Sequence, residues 1–156
     1  MSPVQMADIA AKSDVPRTAI SVGRITLKSE TIKRLKGNSI EKGDVVSCAQ
    51  IAGILSAKKT HEIIPLCHPV PVTSVVVNID IEDNDVIVTS EVSALAKTGV
   101  EMESLTATAV ALLTVWDMTK KYEKDEGGQY PSTKISDIRV LSKIKGAGKK
   151  NDSRGT

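Results

Sequence analysis

The element order written in this chain, β-α-α-β-β-α-β, predicts an α+β domain of the ferredoxin-like split βαβ type. Such a domain has an antiparallel sheet with the helices packed on one face, and here the two early helices serve together as one crossover. Three observations predict it. TSVVVNIDI (73–81) and DVIVTSEVSAL (85–95) alternate apolar and polar residues on either side of an EDND turn signal, as an antiparallel hairpin does. A long stretch with helical periodicity follows, to about Lys124. Shorter strand-like stretches lie before and after these elements, at 19–27 and 135–144.

The elements follow in order. Residues 1–18 are mixed and polar and read as extended. AISVGRITL (19–27) alternates, with Gly23 as a bulge position. SETIKRLK (29–36) is a short helix, capped by Ser29 and stopped by Gly37. KGD (42–44) opens a longer helix with Asp44 as N-cap and Val45, Ala49, Ala52 and Leu55 as its buried stripe, and Pro65 bars its continuation. In the hairpin, Val75, Val77, Ile79 and Ile81 share one face of the first strand, and Val86, Val88 and Val92 alternate along the second. Thr98-Gly99-Val100-Glu101 fits the capping-box pattern for the long helix, whose core side is read as Met102, Leu105, Ala109, Leu112, Leu113 and Trp116. Residues 1–145 are expected to form a single catalytic domain, and 146–156, rich in Gly and Lys, a flexible basic C-terminal tail.

Composition excludes several classes. Aromatic residues make up 2% of 156, with no Phe, so the core must be Val, Ile, Leu and Ala. The same scarcity argues against recognition of bases by stacking, and a net charge of +2 does not by itself imply a nucleic-acid surface. Two cysteines make at most one disulfide. No apolar run is long enough to span a membrane and no signal-peptide core is present, so a soluble cytoplasmic protein is expected.

The residues able to do chemistry cluster in two stretches. In IPLCHPVP (64–71), His68 sits between Cys67 and Pro69 on a connector stiffened by prolines, where it either serves as acid or base or merely satisfies backbone groups. Adjacent Cys67 and His68 cannot easily bind one ion, and no CxxC or HxxxH pair exists, so no metal is expected. In KTGVEMESLT (97–106), Glu101 has a capping duty available and Glu103 has none. Positions two apart on a helix diverge by about 200°, so the two carboxylates point apart unless the first turn is irregular. Asp117 and Lys120 share a helix face, as a surface ion pair or as a partly buried proton-transfer couple. Arg17, Lys42, Lys58 and Lys59 are candidate anion binders. GAGKK (146–150) is rejected as a P-loop for want of the earlier glycine, the Ser or Thr after Lys, and a following helix.

Read together, KGDV, AGI-x-x-AK, IPLCHP, KTGVEMES-LTA and DM-x-K, in this order, resemble the cyclic pyranopterin monophosphate synthase family, the molybdenum cofactor biosynthesis protein C family, over roughly residues 6–144. The resemblance implies an enzyme that converts 3′,8-cyclo-7,8-dihydro-GTP to cyclic pyranopterin monophosphate with release of pyrophosphate. It implies a ferredoxin-like fold, no cofactor, and a homohexamer built as a trimer of dimers with sites at the dimer interface. The family's functional positions fall on Asp8, Arg17, Lys42, His68, Glu101, Glu103, Asp117, Lys120 and Lys143, with Cys67 and Met102 inside the same motifs. Lys42, His68, Asp117 and Lys120 are assigned catalytic roles on this basis, and Asp8, Arg17, Cys67, Glu101, Met102, Glu103 and Lys143 substrate binding. Three departures stand out: Gln50 where the family usually has Arg, the extra DEGGQYPST stretch after the long helix, and a loosened KIKGAGKK ending.

The chemistry suits the residues. A triphosphate needs several cations, which Arg17, Lys42, Lys120 and Lys143 supply. Closing a cyclic phosphate needs a hydroxyl deprotonated and a leaving pyrophosphate neutralised. The alternative, a noncatalytic ferredoxin-like module binding nucleotide or RNA, is disfavoured by the scarcity of aromatics.

Overall fold

A computed structural model describes residues 2–146. Its elements are β1 (Val15–Thr26), α1 (Ser29–Lys36), α2 (Val45–Ala57), α3 (Thr60–Ile63), β2 (Val72–Ile81), β3 (Asp85–Ala96), α4 (Glu101–Glu123) and β4 (Lys134–Lys145). The four strands form one sheet in the order β2-β3-β1-β4, every neighbouring pair antiparallel. β1 and β2 thus run parallel with β3 between them, the split βαβ that the element order predicts. The helices lie on one face of the sheet, with α4 against β1 and β3 and α2 beside it over β2. The expected C-terminal tail, including GAGKK, lies outside the described residues beyond Gly146.

The core is aliphatic, as the composition requires. Val86, Val88 and Val92 of β3 are wholly buried, with Ile25, Ala107, Ala111, Leu112 and Val115 packed about them. Valines at every second position stand on one face of a strand and leave the other face for polar residues, which fixes the register.

Several local expectations are corrected. β1 starts at Val15, four residues before the alternating stretch begins to read as strand. The bulges are in β4 rather than at Gly23. Val22 opposes Arg139 and Arg24 opposes Ser136, so Gly23 faces both Asp137 and Ile138, and Leu141 is a second extra residue. Gly23 serves close packing: a Cβ there would lie 2.8 Å from Leu112 Cδ1 and 2.9 Å from Ile138 Cγ1.

Ser29 does not cap α1, and its hydroxyl donates to Asn84 Oδ1. The carboxylate of Glu123, fully buried at the end of α4, takes that place. It accepts the Lys28 backbone N–H at 3.1 Å and the hydroxyls of Thr31 and Thr133. Buried carboxyl oxygens are tolerable when several donors surround them. Asp44 does cap α2, accepting the Ser47 N–H at 3.0 Å. The buried side of α2 is Val45, Ala49, Gly53, Ser56 and Ala57, whereas Ala52 is half-buried and Leu55 exposed.

The largest correction concerns α4. Of the six residues expected to face the core, only Leu112 is buried. Leu105, Ala109 and Trp116 are half-buried, and Met102 and Leu113 are exposed. The face on the sheet is instead small and hydroxylic: Ser104, Ala107, Thr108, Ala111, Val115 and Thr119. Small side chains let the helix lie close to the sheet, and their hydroxyls are satisfied there. Ser104 donates to the Ser90 carbonyl at 2.8 Å, and the Ser21 hydroxyl lies 2.7 Å from those of both Ser104 and Thr108.

Candidate active site

The chemically equipped residues fall into two clefts at opposite ends of α4. The first lies where the helix starts. β1 delivers Arg17, the 64–71 connector delivers Cys67 and His68, α4 delivers Glu101, Met102 and Glu103, and β4 delivers Lys143. The cleft has a volume of about 460 Å³. Arg17 is aimed by the end of β3, its Nε donating to the Ala96 carbonyl and its Nη2 to that of Lys97, each at 3.0 Å. Lys143 donates to Glu101 Oε1 at 2.8 Å.

The two glutamates share this cleft, against the expectation that a regular helix would point them apart. Glu101 is the first helical residue, and the N-cap Val100 carries no capping side chain. The capping box is not made. The Glu101 carboxylate folds back over Gly99 so closely that a Cβ on Gly99 would lie 1.9 Å from its Oε2. Only a glycine leaves room for it. Glu103 meanwhile is 4% exposed.

These surroundings drive the two carboxyls apart. Burial opposes ionisation of Glu101, but the Lys143 hydrogen bond, a backbone N–H and the charges of Lys143 and Arg17 outweigh it and hold its pKa below the usual range. Burial pushes Glu103 up, and the Glu101 charge adds to this. The Cys67 thiol is raised too, first by burial and then by the Glu103 charge. One carboxyl lowered beside one raised are separated in acidity, as the members of an acid–base pair are. Cys67 and Cys48 are both free thiols.

The second cleft lies toward the other end of α4, lined by Glu41, Lys42, Asp117, Lys120, Lys121 and Lys124, with a volume of about 260 Å³. Asp117 sits between two ammonium groups. Lys120 Nζ donates to its Oδ1 and Lys42 Nζ to its Oδ2, each at 2.7 Å. Lys120 and then Lys42 lower the Asp117 pKa to about 2, and Asp117 raises that of Lys120. The expectation of a partly buried proton-transfer couple is therefore corrected. Asp117 is 55% exposed, and both partners are held in their charged forms.

Asp8 lines neither cleft. It is exposed, and its Oδ1 accepts the Ala10 N–H at 2.8 Å. Lys58 and Lys59 are exposed and line neither cleft. Gln50 donates to the Val77 carbonyl at 3.0 Å, tying α2 to β2. Sequence reasoning missed Lys121 and Lys124 beside the second cleft and Lys97 near the first, whose Nζ donates to the Lys12 carbonyl at 2.6 Å. The KKYEK run at 120–124 and the lysine opening KTGVEMES were the available signals. Among the described residues, no three His, Cys, Asp or Glu side chains converge to hold a metal ion, and no helix is long and apolar enough to cross a membrane.

Comparison with known proteins finds a family and close relatives. The model of the MoaC family matches residues 6–146. A probable cyclic pyranopterin monophosphate synthase of Sulfolobus acidocaldarius is 58% identical over 143 residues, 92% of this chain and 100% of that protein. Proteins of the same description from Pyrococcus furiosus and Sulfurisphaera tokodaii are 58% identical over 142 residues and 57% over 145. These cover 91% of this chain and 91% of the P. furiosus protein, and 93% of this chain and 96% of the S. tokodaii protein.

Proposed function

The chain belongs to the MoaC family, and from that membership we propose that it is a cyclic pyranopterin monophosphate synthase. It converts 3′,8-cyclo-7,8-dihydro-GTP to cyclic pyranopterin monophosphate and releases pyrophosphate, a lyase step in molybdenum cofactor biosynthesis, in the cytoplasm. The observation that carries the reading is the near full-length identity to proteins described as probable synthases of this kind.

The two clefts support a division of labour. The cationic one suits phosphates. Lys42, Lys120, Lys121 and Lys124 face it, and an arriving triphosphate competes with Asp117 for the Lys42 and Lys120 ammonium groups. Released from Asp117, those cations neutralise charge developing on the leaving pyrophosphate. The other cleft suits the base and sugar. Glu101, held below the usual range, serves as the carboxylate, Glu103, raised by burial, more readily holds a proton to donate, and His68 opens onto the same space. Arg17 and Lys143 add positive charge at its rim.

One substrate cannot bridge both clefts of a single chain. Glu103 and Asp117 are fourteen residues apart on α4, about 21 Å at 1.5 Å per residue. The working site is therefore composed from two chains, within a homohexamer made as a trimer of dimers. Support comes from the residues that the core did not absorb. Met102, Leu105, Ala109 and Leu113 form an apolar stripe along the outward side of α4, between the clefts. A helix apolar on both sides is one covered on both sides. Packing two α4 stripes across a two-fold axis brings the start of one helix toward the end of its mate.

The test is incubation of the purified protein with the cyclised dihydro-GTP. Pyrophosphate release matched by formation of cyclic pyranopterin monophosphate is expected. Tight binding of that compound without turnover would leave a noncatalytic nucleotide-binding module in its place.

A further inference from the structure

The stretch before β1 touches the histidine of the first cleft. His68 Nε2 lies 2.7 Å from the backbone carbonyl of Ala7. A carbonyl can only accept, so Nε2 carries the proton in this contact. When the ring is neutral, Nδ1 is then its sole proton acceptor. Two further contacts hold the stretch in place. The next residue, Asp8, accepts the Ala10 N–H at 2.8 Å, closing an Asx turn that runs into the Ile9–Lys12 turn, where the Lys12 N–H meets the Ile9 carbonyl at 3.0 Å. At the far end, Lys97 Nζ clamps the Lys12 carbonyl at 2.6 Å. Lys97 stands four residues before Glu101, so one end of the strap is fixed to the motif that carries Glu101 and Glu103.

We propose that residues 7–12 form a strap that orients His68 for catalysis, with Asp8 as a positioning residue. Asp8 shapes the turn that presents the Ala7 carbonyl to Nε2–H, and Nδ1 becomes the atom that takes or returns a proton in the cleft. This rests on the reading of that cleft as half of the active site. It reassigns Asp8, which the family resemblance groups with substrate ligands: its carboxylate is spent on a backbone N–H, and it lines neither cleft.

Asparagine closes the same turn without a charge, and alanine does not, so the two substitutions separate the roles. Asp8→Ala should lower kcat about a hundredfold with KM little changed, as expected for a catalytic group set out of line. Asp8→Asn should recover most of that loss. Substrate binding through the Asp8 charge would instead leave both variants equally impaired, with KM raised, and would overturn the proposal. The second readout needs no turnover. The chain has two histidines, so a His61→Asn background leaves His68 alone for long-range imidazole 1H–15N correlation. With the ring neutral, a fixed Nε2–H tautomer is expected, averaging toward a free ring on adding Asp8→Ala but not Asp8→Asn. An averaged ring without any change at Asp8 would sink the strap. Failure of the unsubstituted enzyme to release pyrophosphate would sink the proposed reaction instead, leaving the tautomer measurement to judge the strap by itself.

Discussion

Glu103→Gln and Asp117→Asn each damage one cleft and leave the other whole. If one working site takes its first cleft from one chain and its second from another, the two defects can be segregated. A heterodimer of the variants holds one site with both defects and one with none. Equal amounts, fully exchanged, give about half heterodimers by random pairing. Half the sites in those dimers are intact, so about a quarter of wild-type specific activity should return. The distance on α4 makes this outcome specific. With about 21 Å between the two Cα positions, no side-chain rearrangement lets one chain supply both ends to a single small nucleotide. The assay is pyrophosphate release before and after mild dissociation and reassociation, with exchange verified by mass-tagging one variant. No recovery despite demonstrated exchange would refute the two-chain site and place both residues in one chain's machinery.

Four other outcomes follow from the geometry. Lys42→Ala and Lys120→Ala should each cost about a hundredfold or more in turnover. Their ion pairs are exposed and such pairs contribute little to stability, so thermal stability should barely change, and a large melting-temperature loss would point to a structural role instead. Because Asp117 raises the Lys120 pKa, Lys120 acts as a fixed cation, and Lys120→Arg should keep far more activity than Lys120→Ala; equal loss would show that a proton must leave Lys120. The Glu103 carboxyl, raised first by burial, adds stability that is complete below its ordinary pKa of 4.5 and lost as pH rises through the higher folded value. The melting temperature of Glu103→Gln should therefore gain on wild type from pH 4 to pH 8, and a pH-independent gap would contradict the burial argument. Gly23→Ala forces a Cβ to within 2.8 Å of Leu112 and should cost about 1–3 kcal/mol, read as a lower urea midpoint; an unchanged midpoint would mean that α4 stands off the sheet.

The sheet was legible because valines at every second position leave one choice of face. The outer side of α4 was not. Met102, Leu105, Ala109, Leu113 and Trp116 do recur at helical spacing, and nothing in one chain's periodicity says whether such a stripe meets its own sheet or another molecule. Ser104 and Thr108, which do face the sheet, read as surface residues until the hydroxyl partners on β1 and β3 are seen. The β4 bulges were hidden because a bulge belongs to a pairing rather than to a strand. Site chemistry was visible in the residue types of KTGVEMES and DMTK, but their surroundings were not. Glu101 and Glu103 share a cleft because a first-turn side chain can double back over Gly99, which helical angles do not describe. Asp117 proved exposed although its neighbour Trp116 packs against the core, because successive helical positions point about 100° apart.

The hydroxyl contacts beneath α4 give the helix a second meaning, that of a gauge. Sliding the helix along its axis would break the Ser104–Ser90 contact and both Ser21 contacts where water cannot replace them. The separation of its two chemical ends is thus set by residue count, with little slack. A single residue inserted at Val110 would turn the Asp117 end by about 100° and push it about 1.5 Å onward. The same insertion among residues 126–132 would leave the sheet untouched, because Glu123 and Thr133 already join the two ends of that loop. Evolution or design can lengthen this protein freely at the loop, yet the helix between the clefts tolerates neither gain nor loss.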